Sequence, residues 1–207
     1  WAPPLEKAAM KVGSVIMWAT DLQPFFMGIL VSVFVGIALT LPISSAAICA
    51  ALGLTGLAGG AAVAGCCAQM VGFAVMSFRE NKWGGLVSQG IGTSMLQMGN
   101  IVRNPRIWIA PIVTSAITGP IATCLFRLQM NGTAVSSGMG TCGFVGQIGV
   151  YTGWMNDIAE GTKTAVTAMD WAGLFLISFI LPAVLCPLIN MFVRKLGWVK
   201  DGDMTLS

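Results

Sequence analysis

Apolar positions run along this chain in long blocks, and the polar breaks between them are few. No charged residue stands between Asp21 and Arg79. A helix rises about 1.5 Å per residue, so about 20 apolar residues cross a hydrocarbon layer ~30 Å thick. The block therefore predicts two crossings and a connection. The first is expected over 25–41, with Asp21 capping its start and Pro24 tolerated in the first turn. The second is expected over 61–78, ended by Arg79-Glu80-Asn81-Lys82. Between them "AAICAALGLTGLAGG" is apolar but broken by glycine. It is either a short embedded helix or an extension of the second crossing.

A third crossing is expected over 107–126, between Arg103/Arg106 and Arg127, behind the helix-start signal Asn104-Pro105. It contains Pro111, Gly119 and Pro120. Such breakers persist in lipid only where neighbours or water pair the freed backbone groups, so these three are candidate hinges facing protein. A fourth is expected over 171–193, between Asp170 and Arg194-Lys195. Two stretches, 83–102 and 131–156, are rich in glycine and uncharged polar residues and read as re-entrant or broken helices. The predicted fold is an all-α polytopic membrane protein. It has about four full transmembrane helices plus two or three broken, Gly-rich segments.

Lys/Arg balance sets an orientation. Lys7/Lys11, Arg79/Lys82, Arg103/Arg106 and Arg194/Lys195/Lys200 are expected on the cytoplasmic side, and the acidic segment 157–170 outside. The domain reading is one membrane-embedded unit, 1–207, multi-pass in the cell membrane. Residues 1–20 form an amphipathic interfacial segment and 194–207 a cytoplasmic tail. The chain starts at Trp1, which suggests a fragment without its natural N-terminus.

The two odd stretches echo each other. "GIGTSMLQMG" (90–99) and "GMGTCGFVGQIG" (138–149) share Gly-x-Gly-Thr followed by Gln-apolar-Gly, with two extra residues in the second. The orientation puts them on opposite sides, which is the arrangement of inverted repeats whose broken helices meet near the midplane.

Composition narrows the function. The chain is 56% hydrophobic and 9% charged, against about a quarter charged in soluble domains. The net charge of +3 contains no basic run of the nucleic-acid kind. There is no His, and none of the six Cys forms a CxxC pair. No metal site, catalytic triad or cofactor is expected. What remains is uncharged hydrogen-bonding chemistry suited to a neutral polyhydroxylated solute. Gln97, Asn100, Asn131, Thr141 and Gln147 are the candidate substrate ligands, and Trp154 is a candidate stacking surface. Gly90, Gly92, Gly138 and Gly140 would bare the backbone. The same amides serve equally well as glue between helices. Arg127, alone on the outer side, is expected to pair with Asp157 or to snorkel.

The segments "RNPRIWIAPIVTSAITGPIA" (103–122) and "NGTAVSSGMGTCGFVGQIGVYTGW" (131–154) resemble the enzyme IIC membrane proteins of the sugar phosphotransferase system. The resemblance is closest to their perfringolysin-regulator-like branch. It implies an α-helical transport domain, commonly a homodimer, that binds sugar while a separate phosphorylated IIB protein donates the phosphoryl group. Sugar-transporting relatives place a Glu and a His near the sugar. This chain has no His, so that pair does not carry over. Two readings stay open: a transporter-like domain for a neutral polar solute, or a membrane sensor that binds ligand or partner without moving it. A passive pore is a third, lesser reading.

Overall fold

The computed structural model describes residues 2–206, so the outermost residue of each terminal expectation lies outside the described part. Every regular element is helical: α1 (Ala2–Leu22), α2 (Pro24–Thr40), α3 (Ser45–Leu52), α4 (Gly56–Met76), α5 (Phe78–Val87), α6 (Met98–Arg103), α7 (Ile109–Pro120), α8 (Ala134–Ser137), α9 (Val145–Ala159), α10 (Ala168–Phe175) and α11 (Leu181–Lys195). Among the described residues, three helical runs are long and apolar enough to cross a membrane: Gly56–Met76, Pro105–Leu125 and Ala168–Lys195. The chain is a polytopic all-α membrane protein. The first expected crossing, α2, is apolar but has only 17 residues, about 25 Å at the helical rise.

Local chemistry explains the ends. Pro24 opens α2 at its first turn, but the cap position is Gln23, and Asp21 lies inside the last turn of α1. Asn104 accepts a bond from the Arg106 amide at 3.2 Å and so starts the run that becomes α7. Just after Pro120, which has no N–H to donate to the preceding turn, α7 gives way to a wide turn over Ile121–Leu125, in which the Phe126 amide bonds the Ile121 carbonyl at 3.1 Å. Asp170 does not cap α10 alone. Thr167 is the cap, and the two side chains close a reciprocal capping box.

α4 is the hub. Its residues are almost all buried, and the facing positions are Gly and Ala. A side chain at Gly65 would strike the Ser32 carbonyl, so α2 lies backbone to backbone on α4. Gly36 sits against Gly65, and Thr40 reaches Gln69. Numbers rise together along both helices, so α2 and α4 are parallel. α7 opposes them: Ser32 bonds the Ser115 carbonyl at 2.7 Å, and Thr123 bonds the Pro24 carbonyl at 2.7 Å. α11 runs with α4, since Gly72 faces Cys186 and Glu80 meets Arg194.

This corrects the alternating order expected from hydropathy. The chain does not cross and stay across between α2 and α4. It turns at Leu41 and returns through α3 to the end where α4 begins. The segment "AAICAALGLTGLAGG" is thus both things at once: a short embedded helix and the start of the second span. The orientation of Lys7 and Lys11 changes with it. Gly13 lies against the Leu52 carbonyl, and the Thr55 hydroxyl points at Met17 Sδ. α1 therefore lies at the same end as Gly56 and Met130, which pair through both backbone groups. That end also holds Arg127, Asp157 and Asp170 and is called the acidic end below. Arg79, Arg103 and Arg194 mark the basic end.

The two Gly-rich stretches are hairpins inserted from opposite ends. From the basic end the chain reverses at Lys82 (φ 51°), climbs through the wide helical turn Ser88–Gly92 and turns again at Thr93. It then descends through α6. From the acidic end it runs inward through α8 and reverses at Gly143 and Phe144 (φ 58°). It leaves along α9. Gly140 sits at the inner tip with φ +53°. A Cβ there would lie 2.6 Å from Cys66 Cβ, half-way along α4.

The close α2–α4 approach makes Gly65→Ala costly. It is expected to lower unfolding stability by about 1–3 kcal/mol. Gly92→Ala, with no atom within 4 Å of its Cβ position, should stay within about 0.5 kcal/mol of the parent. Thermal unfolding in detergent compares the two.

Candidate functional site

Polar groups in lipid are costly unless paired, so each buried one needs a partner or a purpose. Four groups of them lie along the bundle. The first, at the basic end, is a chain of amides. Gln89 donates to Ser77 at 2.9 Å, Gln97 to Gln89 Oε1 at 2.9 Å, and Asn100 to Gln97 Oε1 at 2.8 Å. Gln97 and Asn100 spend further N–H groups on the Met204 and Thr205 carbonyls, both at 3.0 Å. Gln89 and Gln97 are fully buried.

The second group is central and was not anticipated as a site. Gln69 on α4 accepts from Trp108 Nε1 at 2.9 Å and from Thr40 at 3.3 Å, and it donates to Ser115 at 3.4 Å. Thr40 shares a 2.8 Å bond with Ser94 at the tip of the first hairpin. An amide inside an otherwise apolar block was the sequence signal for Gln69.

The third group joins the hairpins. Thr141 donates its hydroxyl to the Gly90 carbonyl at 2.6 Å and also faces Met70 Sδ. One Gly-x-Gly-Thr element thus meets the other. Gln147, on the returning arm, donates to Ser178 at 3.0 Å and lies 3.3 Å from Cys67 Sγ. Its Oε1 is buried without a partner among the described residues.

The fourth group surrounds an open cavity of about 350 Å³ at the acidic end, lined chiefly by Arg127, Asn131, Trp154, Asp157, Lys163 and Asp170. Asn131 Nδ2 donates to both Asp157 oxygens at 3.0 Å. Lys163 pairs with Asp170 at 2.7 Å and places its ammonium 5.4 Å from the centre of the Trp154 ring. Trp171 meets Trp154 edge-on, with ring centres 5.4 Å apart. Arg127, exposed and with φ 45°, forms no ion pair among the described residues. The expected Arg127–Asp157 pair does not form, because Asn131 holds the carboxylate.

The candidate ligands are therefore not one cluster. Asn131 and Trp154 share the acidic-end cavity, Thr141 and Gln147 lie at the hairpin junction, and Gln97 and Asn100 are at the basic end. Gly138 and Gly140 do bring backbone close to backbone, whereas a Cβ at Gly90 would meet only the Ala74 side chain and Gly92 is exposed. Pro111, Gly119 and Pro120 are all buried in α7, with Gly119 against Gly28 and Ser32. The sequence reading had not placed Asp157, Lys163 or Asp170 among the candidate ligands, since their convergence around Trp154 needs the loop 160–167 to fold back.

The family described as Phosphotransferase system, EIIC matches residues 1–206. The chain belongs to it. No curated protein and no solved structure matches the chain in the other two comparisons. The EIIC assignment makes this a phosphotransferase-type transport domain of the membrane. In an EIIC domain the four polar groups acquire an order: an open cavity at one end, a hairpin junction, a central network, and a buried amide chain at the other end.

The amide chain and the cavity respond differently to truncation. Gln97→Ala strands the buried Gln89 Oε1 and removes one of the two bonds on the Met204 carbonyl, and is expected to cost about 1–3 kcal/mol of stability. Trp154→Phe keeps an apolar ring against Trp171 and should cost under about 1.5 kcal/mol. Denaturant or thermal unfolding of the two variants in the same detergent checks the contrast.

Proposed function

We propose that this EIIC domain moves a neutral polyhydroxylated solute, a sugar, across the membrane by alternating access. The acidic-end cavity is its docking station and the hairpin junction its barrier. The observation that carries the reading is the meeting of two hairpins from opposite ends, closed by the Thr141 hydroxyl on the Gly90 carbonyl. A barrier made by two inserted segments opens when either withdraws, which is how broken helices serve transporters.

The cavity chemistry suits a sugar. Asp157 accepts from hydroxyls, Asn131 and Arg127 donate, and the Trp154 ring offers an apolar face. At about 350 Å³ it falls at the small end of ligand pockets. Lys163 rests on the ring face, so a stacking sugar has to push it aside. Once the barrier parts, the junction's own Thr141 and Gln147, with the backbone of Gly90, Gly92, Gly138 and Gly140, form the next station, and Gln97 and Asn100 the one beyond it. Pro111, Gly119 and Pro120 are the hinges for that motion. The reading takes the chain as one embedded unit. α1 lies across the acidic end, and residues past Arg194 lie on the side that faces a cytoplasmic IIB protein. A second copy of the chain completes the homodimer usual in the family.

One observation favours the sensor reading: the chain has no His, so the His-bearing sugar site of transporting relatives is absent from it. A single experiment separates the two. Purified protein is titrated with a panel of sugars by calorimetry, and uptake of the labelled binder is followed in proteoliposomes. Binding with uptake is expected. Asp157→Ala should weaken binding about 10- to 100-fold, the loss typical of bonds to a charged group. Binding without uptake would make the domain a sensor. Affinity unchanged by Asp157→Ala and by Trp154→Ala would remove the cavity from the pathway.

A further inference from the structure

At the basic end, residues 197–206 fold back across the mouth of the first hairpin. They have no regular helix and turn at Gly197 (φ 72°) and Gly202 (φ 96°). Side-chain amides hold their backbone. Asn81 grips both sides of Thr205: its Nδ2 donates to the Met204 carbonyl at 2.8 Å, and its Oδ1 accepts from the Leu206 amide at 2.8 Å. Gln97 adds a second bond to Met204 O, and Asn100 takes Thr205 O. Asn104 holds the Trp198 carbonyl at 3.0 Å and Asp203 at 2.8 Å. Glu80 accepts from the Gly202 amide at 3.1 Å, and Arg194 ties Glu80 to Asp201.

Only Val199 and Met204 reach the core. Met204 is fully buried and joins the apolar cluster of Phe73, Met76, Ile101 and Ile107. The segment thus closes the basic-end approach to Gln97 and Gln89, both without exposed surface. It does so by offering carbonyl oxygens to amide donors. Those donors would pair equally well with solute hydroxyls.

We propose that residues 197–206 are a removable plug, which seals the basic-end mouth of the first hairpin by competing with the solute for the amide donors of Gln97 and Asn100. This rests on the transport reading above, because a seal matters only where something passes. The geometry favours release over permanent packing. The grip is a set of side-chain bonds at the rim, amide to backbone for the most part with the Arg194–Asp201 pair beside them, and it has two apolar anchors and no helix. Such units open locally at far lower cost than the spans. A solute arriving at Gln97 and Asn100 replaces their carbonyl bonds one for one, so lifting the plug leaves neither of these two amides unpaired.

The test uses the full chain in detergent, with Cys124 and Cys142 replaced by Ser. A reporter thiol is placed by Ile101→Cys, beneath Met204. The probe is a charged, water-soluble maleimide. Labelling of the reporter should be slow in this background. It should rise at least about tenfold when Asn81→Ala is added, the change expected on losing two net hydrogen bonds. Met204→Asp, which puts a carboxylate into the apolar seat, should raise it further. Cys66 and Cys67, fully buried on α4, must stay unlabelled, which shows that the bundle is intact. Should Met204→Asp expose them as well, Asn81→Ala alone decides. Reporter labelling unchanged by Asn81→Ala overturns the plug. Labelling that rises while no sugar is taken up leaves the plug standing and sinks the transport reading instead.

Discussion

Inside a lipid layer every peptide N–H and C=O has to find its partner within the protein, and that requirement shapes this molecule more than any other. Straight helices meet it alone. The hairpins at 83–103 and 131–156 do not, because their turns leave backbone groups unpaired. They persist because α4 offers them a wall of Gly, Ala and Cys, low enough for backbone to lie on backbone. Gly140 rests on Cys66, and Gly138 brings its carbonyl to the Ser45 hydroxyl at 2.7 Å. Packing of this kind supplies association energy where water is absent and apolar burial yields nothing against lipid.

The same requirement explains the polar residues. Amides and hydroxyls in the bundle pair with one another or with carbonyls, so the interior is polar without being charged. The exceptions are informative. Gln147 Oε1 and Asn190 Oδ1 are buried with no partner among the described residues. Unpaired acceptors destabilise the arrangement that leaves them so, and Gln147 belongs to the arm that forms the junction. The closed junction is therefore held by Thr141 on Gly90 and opposed by Gln147.

Each end of the molecule is finished differently. At the acidic end, charges ring an open cavity, and a lysine on a flexible stem lies over the Trp154 ring, which otherwise packs in the core against Trp171. At the basic end, the equivalent space is filled by the chain's own carbonyls. α4 with the first hairpin and α7 with the second form two units of opposite direction, each a span followed by an inserted hairpin. Their opposed ends thus present one open and one sealed approach to the same junction.

Local information determined a good deal. Hydropathy located the apolar runs to within a few residues: 25–41 against Pro24–Thr40, 107–126 against Pro105–Leu125, 171–193 against Ala168–Lys195. Charge depletion fixed the lipid setting, and the Gly-x-Gly-Thr echo pointed to paired segments from opposite sides. These signals are legible because burial in lipid acts on each residue independently of its neighbours in space. Charge balance gave α4, α7 and α11 their relative directions, but the direction of α2 was not legible. A turn at Leu41 that brings the chain back through α3 has nearly the same hydropathy as one that lets it cross. Nor was the partition of the candidate ligands among cavity, junction and amide chain, because one amide is as good a ligand as another until its partner is known. Only tertiary packing decides which carbonyl, carboxylate or hydroxyl stands opposite each Gln and Asn, since those partners come from elements tens of residues away.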